Sequence, residues 1–127
     1  MRLSLVAIVD AQIVGHVLFS RLPMRCAAGT IKALALAPVA VLPEFQRRGV
    51  GTRLIERCLQ ECAQLGERIV IVLGEPAYYG RFGFSAKLAE PLTSVYAGPY
   101  FQALELRPAG LRGVAGAVEY PPPFAGV

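Results

Sequence analysis

The residues Gln46-Arg47-Arg48-Gly49-Val50-Gly51 decide how the rest of this chain can fold. An apolar run over residues 34–41 leads into them, and a segment with helical periodicity, from Thr52 to about Leu65, leads out. The pattern therefore predicts a strand, a glycine-bearing turn and a helix. The first amides of a helix have no internal partner and lie at the positive end of its dipole. Such an arrangement is typical of an anion-binding site.

The residue types in this turn suit a diphosphate. Gly49 and Gly51 have no side chain, so a phosphate can approach the backbone closely. Arg47 and Arg48 add positive charge at the rim, although either could equally be a solvated surface charge. The alternative for the glycines is an ordinary tight turn, and the flanking pattern favours phosphate binding. We therefore expect the turn to bind the pyrophosphate of a nucleotide-like cofactor.

Length and composition indicate a single folded domain over residues 1–127. Hydrophobic residues make up 54% of the chain and charged residues 17%, which favours a packed core over disorder. No apolar run reaches the roughly 18 residues that a membrane span needs. No signal-peptide pattern opens the sequence. We therefore expect a cytoplasmic protein with no membrane partner.

The charge balance indicates an anionic ligand rather than a nucleic acid. The formal net charge is +4, from 11 arginines, 2 lysines and 9 acidic residues. This excess is modest and scattered, whereas a nucleic-acid surface needs clustered basic residues with interleaved aromatics. We therefore expect no nucleic-acid partner.

The cysteines and the single histidine do not form a metal-binding pattern. Cys58 and Cys62 lie four residues apart on the apolar face of the predicted helix, and Cys26 lies far from both in sequence. With His16 the only histidine, a zinc site is not expected. We predict buried thiols that act as small hydrophobic groups, a structural role for His16, and no bound metal.

Pro38 lies inside the strand that leads into the turn. Proline cannot donate to a sheet ladder, so it predicts a bulge or an end to pairing. Pairing that stops just before the turn would leave a gap between neighbouring strands. A ligand amide could bond to the free backbone there, as an added strand would. Val39 and Val41 are the residues we expect to make these contacts.

The rest of the sequence predicts further strands and one short helix. A strand, a helix and a strand of these lengths imply two parallel strands in one sheet. Glu75 and Pro76 fit the cap and first position of the short helix. The predicted elements are a hairpin of strands Leu3–Val9 and Ile13–Phe19, a loop over 20–30, strand Ile31–Val41, the helix, strand Arg68–Leu73, a short helix Ala77–Phe82, a strand start at Phe84–Lys87, a loop over 88–98, strand Tyr100–Leu106 and a turn-rich surface tail from Pro108.

Two motifs in this order resemble those of the GNAT superfamily of N-acetyltransferases. The first is Gln46-x-x-Gly49-x-Gly51 after its strand, and the second is Ala77-Tyr78-Tyr79-Gly80-Arg81-Phe82-Gly83-Phe84. With Gly74-Glu75-Pro76, the chain is similar to the YhbS-like branch of that superfamily. The resemblance covers about residues 3–124. It implies an α/β fold with a mixed central β-sheet and flanking helices.

The resemblance also implies a cofactor and roles for particular residues. Acetyl-CoA would be the co-substrate, with its pantetheine arm on Val39 and Val41. Tyr79 would protonate the leaving thiolate, with Tyr78 as the nearby competitor. Glu75 would be a helix cap rather than a general base, and the side chain of Gln46 need not touch phosphate. The pyrophosphate would lie on the turn and its backbone amides, formed by Gln46, Arg47, Arg48, Gly49, Val50, Gly51 and Thr52.

Family members have a first strand and two helices before the hairpin with which this sequence begins. The resemblance therefore implies an N-terminally truncated domain, and an uncovered strand edge would favour a homodimer. The implied function is transfer of an acetyl group to a primary amine of a small molecule or a protein. Two alternatives stay open: a non-catalytic acyl-CoA-binding or sensing module, and a fragment that another chain completes.

Overall fold

The chain folds around a mixed β-sheet that has seven strands in the described residues. We describe a computed structural model over residues 2–26, 29–94, 96–107 and 116–118. The strand order is β5-β7-β2-β3-β4-β6, with β1 also paired to β2. The elements are β1 (Arg2–Val9), β2 (Gln12–Cys26), β3 (Gly29–Val41), α1 (Val50–Gln64), β4 (Ile69–Leu73), α2 (Pro76–Tyr79), β5 (Leu92–Thr93), β6 (Phe101–Glu105) and β7 (Gly116–Val118), with 3-10 turns at Pro43–Phe45 and Gly80–Phe82.

Strands β1 and β2 form the predicted antiparallel hairpin. Val9 pairs with Gln12, so Asp10 and Ala11 alone make the turn. Both of these residues have positive φ, of 50° and 63°. Two-residue turns of this hand match the natural twist of the flanking strands. The hairpin is thus closed by a turn one residue shorter than predicted.

The predicted loop over residues 20–30 is wrong. β2 continues to Cys26, β3 begins at Gly29, and the two strands pair throughout this stretch. Leu22 and Met24 are fully buried, while Pro23 between them is exposed. That alternation is the period of a strand with one covered face. Burial of the two apolar side chains outweighs the turn preference of the proline and the glycine.

The predicted irregularity near Pro38 is confirmed as a shift in register. Val17 pairs with Val39, but Phe19 pairs with Leu36, so β3 has one extra residue between Leu36 and Val39. A one-residue slip moves the following side chains to the other face of the sheet. Val39 therefore packs on the same side as Leu36, against the core beneath α1.

The predicted gap between neighbouring strands is also confirmed. β3 and β4 are parallel, and they pair only at Leu34 with Val70 and at Ala35 with Ile71. β3 then runs on to Val41 without β4 beside it. β4 pairs with β6 from end to end, so the sheet opens on the β3 side alone.

Helix α1 covers one face of the sheet. The helix and that face form one buried cluster, and a second cluster on the opposite face lies beneath the segment that precedes β6. The apolar face predicted for the helix is buried at Leu54, Ile55, Cys58 and Cys62. The open end of the sheet, between β3 and β4, therefore lies beside the start of α1.

The C-terminal third differs from the prediction in detail. β5 lies inside the predicted loop over 88–98, and β7 lies inside the predicted tail and pairs with β2. The predicted strand start at 84–87 is reduced to a single bridge between Ser85 and Ala103. Most of the tail, residues 108–115 and 119–127, lies outside the described residues. Glu75 stands at the start of α2 as predicted, but its side chain makes no capping hydrogen bond.

Candidate cofactor-binding and active site

The turn between β3 and α1 leaves the first amides of the helix exposed to ligand. Arg47 and Gly49 both have positive φ, of 62° and 80°. Gly49 is the N-cap of α1, and no side chain caps the helix. The first helical bond runs from the Arg53 amide to the Gly49 carbonyl, at 3.0 Å. In this described stretch the amides of residues 50–52 therefore have no intrahelical acceptor, as helix geometry requires.

Two of the predicted turn residues use their side chains within the protein. Nε2 of Gln46 donates to the Val41 carbonyl at 3.0 Å, which ties the turn to the end of β3. The Arg48 guanidinium lies over the Phe45 ring, with Cζ 5.4 Å from the ring centroid. Both side chains therefore have partners within the protein.

A cavity of about 570 Å³ joins the turn, the end of β3 and helix α2. It brings together every residue predicted to bind the cofactor except Arg48, and it also includes Tyr79. Sequence reasoning missed Phe45 and Arg81, although Arg81 lies one helical turn after Tyr78, a spacing that places the two side by side. The lining residues are Val39, Val41, Phe45, Gln46, Arg47, Gly49, Val50, Gly51, Thr52, Tyr78, Tyr79 and Arg81.

The end of β3 presents backbone groups to the gap in the sheet. The Leu42 amide donates to the Val14 carbonyl of β2 at 2.8 Å. Backbone groups of an antiparallel strand alternate in direction from one residue to the next. Val41, one residue earlier, and Val39 therefore direct their amides and carbonyls away from β2 and towards the gap, where the Val41 carbonyl also accepts the bond from Gln46.

Tyr79 lines the cavity and lies half-buried in an aromatic cluster. Its ring centroid is 5.0 Å from that of Tyr78, 6.4 Å from Phe82 and 5.9 Å from Phe84. Burial, and secondarily Tyr78, raises the pKa of Tyr79 above its ordinary value. The hydroxyl therefore keeps its proton across the physiological range and remains available as a donor.

The turn after β4 holds the Tyr79 ring in place. A Cβ built on Gly74 would collide with that ring, so the ring packs directly on the backbone. Gln102, which is almost completely buried, donates from Nε2 to the Gly74 carbonyl at 3.0 Å. The Gly74 amide in turn donates to the Tyr100 carbonyl at 3.0 Å. Both backbone groups of Gly74 are thus hydrogen-bonded, one to Gln102 of β6 and the other to Tyr100 just before β6.

Tyr78 lies beside the start of α1. Its hydroxyl is 3.3 Å from Oγ1 of Thr52, and a Cβ on Gly51 would be 3.5 Å from that hydroxyl. The Arg81 guanidinium lies over the Tyr78 ring, with Cζ 4.6 Å from the centroid. The two adjacent tyrosines therefore occupy different parts of the cavity, with Tyr78 beside the anion-binding turn.

His16, Cys58 and Cys62 do not line this cavity. His16 is half-buried and lies 2.9 Å from the Ser4 hydroxyl, a hydrogen bond that gives it a structural partner. Cys58 and Cys62 are fully buried, as predicted, and the hydrogen bond between them, together with burial, raises the pKa of the Cys58 thiol. The side chain of Cys26 is outside the described part of the structure.

The described residues contain no cluster of three or more histidine, cysteine or acidic side chains that could hold a metal ion. In the same residues, no helix combines the length and apolarity required to cross a membrane.

Sequence comparisons identify relatives of this chain. A profile of the family described as "Acetyltransferase (GNAT) domain" matches residues 3–86. The uncharacterized N-acetyltransferase YhbS of Escherichia coli K12 is 34% identical over 121 residues, which are 93% of this chain and 71% of YhbS. The uncharacterized N-acetyltransferase YjhQ of the same organism is 42% identical over 82 residues, or 65% of this chain. That match spans 45% of YjhQ, less than half its length.

Structural comparisons agree with the sequence matches. YhbS from E. coli, solved in complex with CoA, superimposes with a TM-score of 0.84 at 32% identity and covers 96% of this chain and 68% of YhbS. A GNAT family acetyltransferase from Brucella melitensis, solved with acetyl-CoA, gives a TM-score of 0.74 at 34% identity. The match covers 95% of this chain and 67% of the B. melitensis chain. On these matches, the chain belongs to the GNAT family of acetyltransferases.

Proposed function

We propose that this protein is an N-acetyltransferase that moves the acetyl group of acetyl-CoA to a primary amine of a small molecule or a protein. One observation carries the proposal. The free amides at the start of α1, the end of β3 that has no β4 partner and the hydroxyl-bearing ring of Tyr79 meet in a single cavity. The CoA and acetyl-CoA bound to YhbS and to the B. melitensis protein support the same cofactor for this chain.

The residues of the cavity fit the parts of this cofactor. The amides of residues 50–52 are donors for a diphosphate, and Arg47 adds charge beside them. The backbone groups of Val39 and Val41 can bond to the amides of a pantetheine arm as a neighbouring strand would. When bound, acetyl-CoA supplies an activated acetyl group and a thiol leaving group. Arg48 and Gln46 contribute their backbone to the turn.

Two groups of the protein would assist acyl transfer. A backbone amide directed into the gap, such as that of Val41, can stabilise negative charge that develops on a carbonyl oxygen. Burial keeps the Tyr79 hydroxyl protonated, and that proton can pass to the sulfur of CoA as the carbon–sulfur bond breaks. Positioning of the amine beside the thioester would supply much of the rate enhancement.

Tyr79→Phe is the variant that tests this function. With a panel of amines, release of free thiol from acetyl-CoA should fall by about 100-fold, the usual contribution of a positioned acid. Calorimetry should show unchanged acetyl-CoA affinity, since the ring remains. Tyr100→Phe, at an exposed tyrosine outside the cavity, is the matched control and should retain full turnover. Equal activity of the wild type and Tyr79→Phe would contradict the role of Tyr79.

A second function, non-catalytic binding or sensing of acyl-CoA, is favoured by one feature of the cavity. Its described lining contains no histidine and no carboxylate, so no side chain there can accept the proton of an attacking amine. The same assay separates the two functions. Binding of acetyl-CoA without thiol release on any amine supports the sensor, and turnover supports the enzyme.

A further inference from the structure

Arg81 lies where two cavities meet. It lines the cofactor cavity and also a neighbouring groove of about 400 Å³ between α1 and the 3-10 turn Gly80–Phe82. No carboxylate among the described residues forms an ion pair with Arg81. A guanidinium is charged at every physiological pH and presents several donors in one plane. Arg81 is therefore a cation whose protein contact leaves its donors available.

Tyr78 fixes Arg81 relative to the anion-binding turn. The hydroxyl end of the Tyr78 ring is 3.3 Å from Oγ1 of Thr52, in the first turn of α1. The face of the same ring supports the guanidinium, with Cζ 4.6 Å from the centroid. A cation over an aromatic face is held by the ring quadrupole. One aromatic ring thus separates Arg81 from the site proposed for the diphosphate.

CoA carries an anionic group that a cation at this place could bind. Its diphosphate can be bound by the amides at the start of α1, whereas its ribose 3′-phosphate is a separate anion for which an arginine is a strong donor. We propose that Arg81 binds the 3′-phosphate of CoA, with the adenosine lying in the groove beside α1. This inference rests on the proposed function, because it requires that CoA occupies the larger cavity.

The lining of the groove agrees with this orientation. Leu59 and Phe82 supply apolar surface for a base, and Gln60 and Glu56 supply polar groups at its edge. The Glu56 carboxylate would repel a phosphate, which places the 3′-phosphate at the Arg81 end of the groove. Arg81 would then distinguish CoA from its 3′-dephospho form, a selectivity that the turn alone cannot provide.

Calorimetric titration with CoA and with 3′-dephospho-CoA tests the inference without any acceptor. We expect the wild type to bind CoA at least tenfold more tightly than 3′-dephospho-CoA, since a charge-assisted contact of this kind is worth a factor of about ten or more. Arg81→Gln should lose most of that preference by weakening CoA alone. Its affinity for 3′-dephospho-CoA should match that of the wild type.

Arg53→Gln is the matched control, because Arg53 is an exposed arginine of α1 outside both cavities. It removes the same charge and should keep the preference for CoA. Equal binding of the two ligands by the wild type, or an undiminished preference in Arg81→Gln, would overturn the inference and leave the proposed function standing. Failure of the wild type to bind either ligand would overturn both.

Discussion

Gly49 determines, at the scale of a single residue, whether the start of α1 can receive an anion. Its φ of 80° is in the left-handed region, which costs other L-residues about 1 kcal/mol. No group lies within 4 Å of a Cβ built there, so the space beside it is open to a ligand. The sequence predicted this residue because the glycine-bearing turn stands between a predicted strand and a predicted helix, a pattern that favours phosphate binding over an ordinary tight turn.

Gly49→Glu should abolish binding of acetyl-CoA while leaving the fold intact. The new carboxylate would occupy the site of the diphosphate and repel it, and the open space accommodates the side chain. Gly49→Ala is the control for backbone strain, and it should lower the free energy of unfolding by about 1 kcal/mol with less effect on affinity. Calorimetry and urea denaturation measure the two effects. Unchanged affinity in Gly49→Glu would refute the phosphate role.

Gly74→Ala should reduce turnover by displacing the Tyr79 ring, against which the new Cβ would collide. We expect a fall in kcat of about tenfold or more, because small displacements of a positioned group are costly, and a smaller change in acetyl-CoA affinity. Gly80→Ala is the matched control, since a Cβ there meets nothing within 4 Å and its backbone is helical. Equal kcat values for the two variants would contradict the packing role of Gly74.

Some site residues could not be predicted because their roles depend on distant contacts. Gln102 is assigned to β6 by its sequence pattern, but its hydrogen bond to Gly74 crosses 28 residues of chain. The sequence shows Arg81 only as part of a motif, because the groove that it lines is formed together with residues of α1, more than 20 positions earlier in the chain. Tyr79 was predicted from its spacing to Gly83 and Phe84 in the resemblance, which is local information.

At the scale of elements, periodicity predicted most of what surrounds the site. Continuous apolar runs predicted β3 and β4, because strands covered on both faces need apolar side chains on both. The apolar stripe predicted α1, because a helix packed on a sheet buries one face. The strand end over residues 20–26 was missed because Pro23 and the later glycine are typical of loops, although Leu22 and Met24 keep the alternation of a strand. The bulge before Val39 was predicted from Pro38 alone, because a residue without an amide proton leaves few alternatives.

Arg21 of β2 pairs across β3 with Glu67, in the loop that precedes β4. Nη1 and Nη2 of Arg21 donate to Oε1 and Oε2 of Glu67 at 2.7 and 2.8 Å, and these bonds hold the pKa of Glu67 below its usual range. The pair therefore stabilises the fold fully above the usual carboxyl pKa and progressively less as pH falls through the lowered value. Glu67→Gln should lower the free energy of unfolding by about 1 kcal/mol at neutral pH and by less below about pH 4.

Urea denaturation at several pH values measures this effect, with Glu61→Gln as the matched control. Glu61 pairs with Arg57 at 3.1 Å on the exposed side of α1. Such a helical pair contributes only a few tenths of a kcal/mol. If Glu67→Gln were no more destabilising than Glu61→Gln at neutral pH, the pair across β3 would have no special role in the fold.

At the scale of the whole molecule, the sequence predicted a mixed sheet but not its full strand order. The pairing of β7 with β2 and of β5 with β7 joins segments far apart in the chain, and short strands carry little pattern of their own. The central parallel pair was predictable because a helix of this length connects its strands. The site is built from that central unit, which explains why much of it could be predicted.

The predicted homodimer remains a prediction, and the hairpin supplies its test. Ile8 and Ile13 pair across β1 and β2 with 62% and 60% of their surface exposed. Replacing both with threonine keeps strand-forming side chains while removing apolar surface. We expect any self-association measured by sedimentation equilibrium to weaken at least tenfold. Leu65→Thr, at an exposed leucine after α1, is the control. A wild type that is monomeric at every concentration would contradict the dimer.

Backbone NMR during titration with CoA tests the central claim most directly. The account predicts that the amides of residues 49–52 show the largest shifts and the strongest slowing of hydrogen exchange, followed by those of Val39 and Val41 beside the gap. Those amides would then be the donors that bind the diphosphate. Saturable binding of CoA that left residues 49–52 unchanged, or no binding at all, would contradict the account.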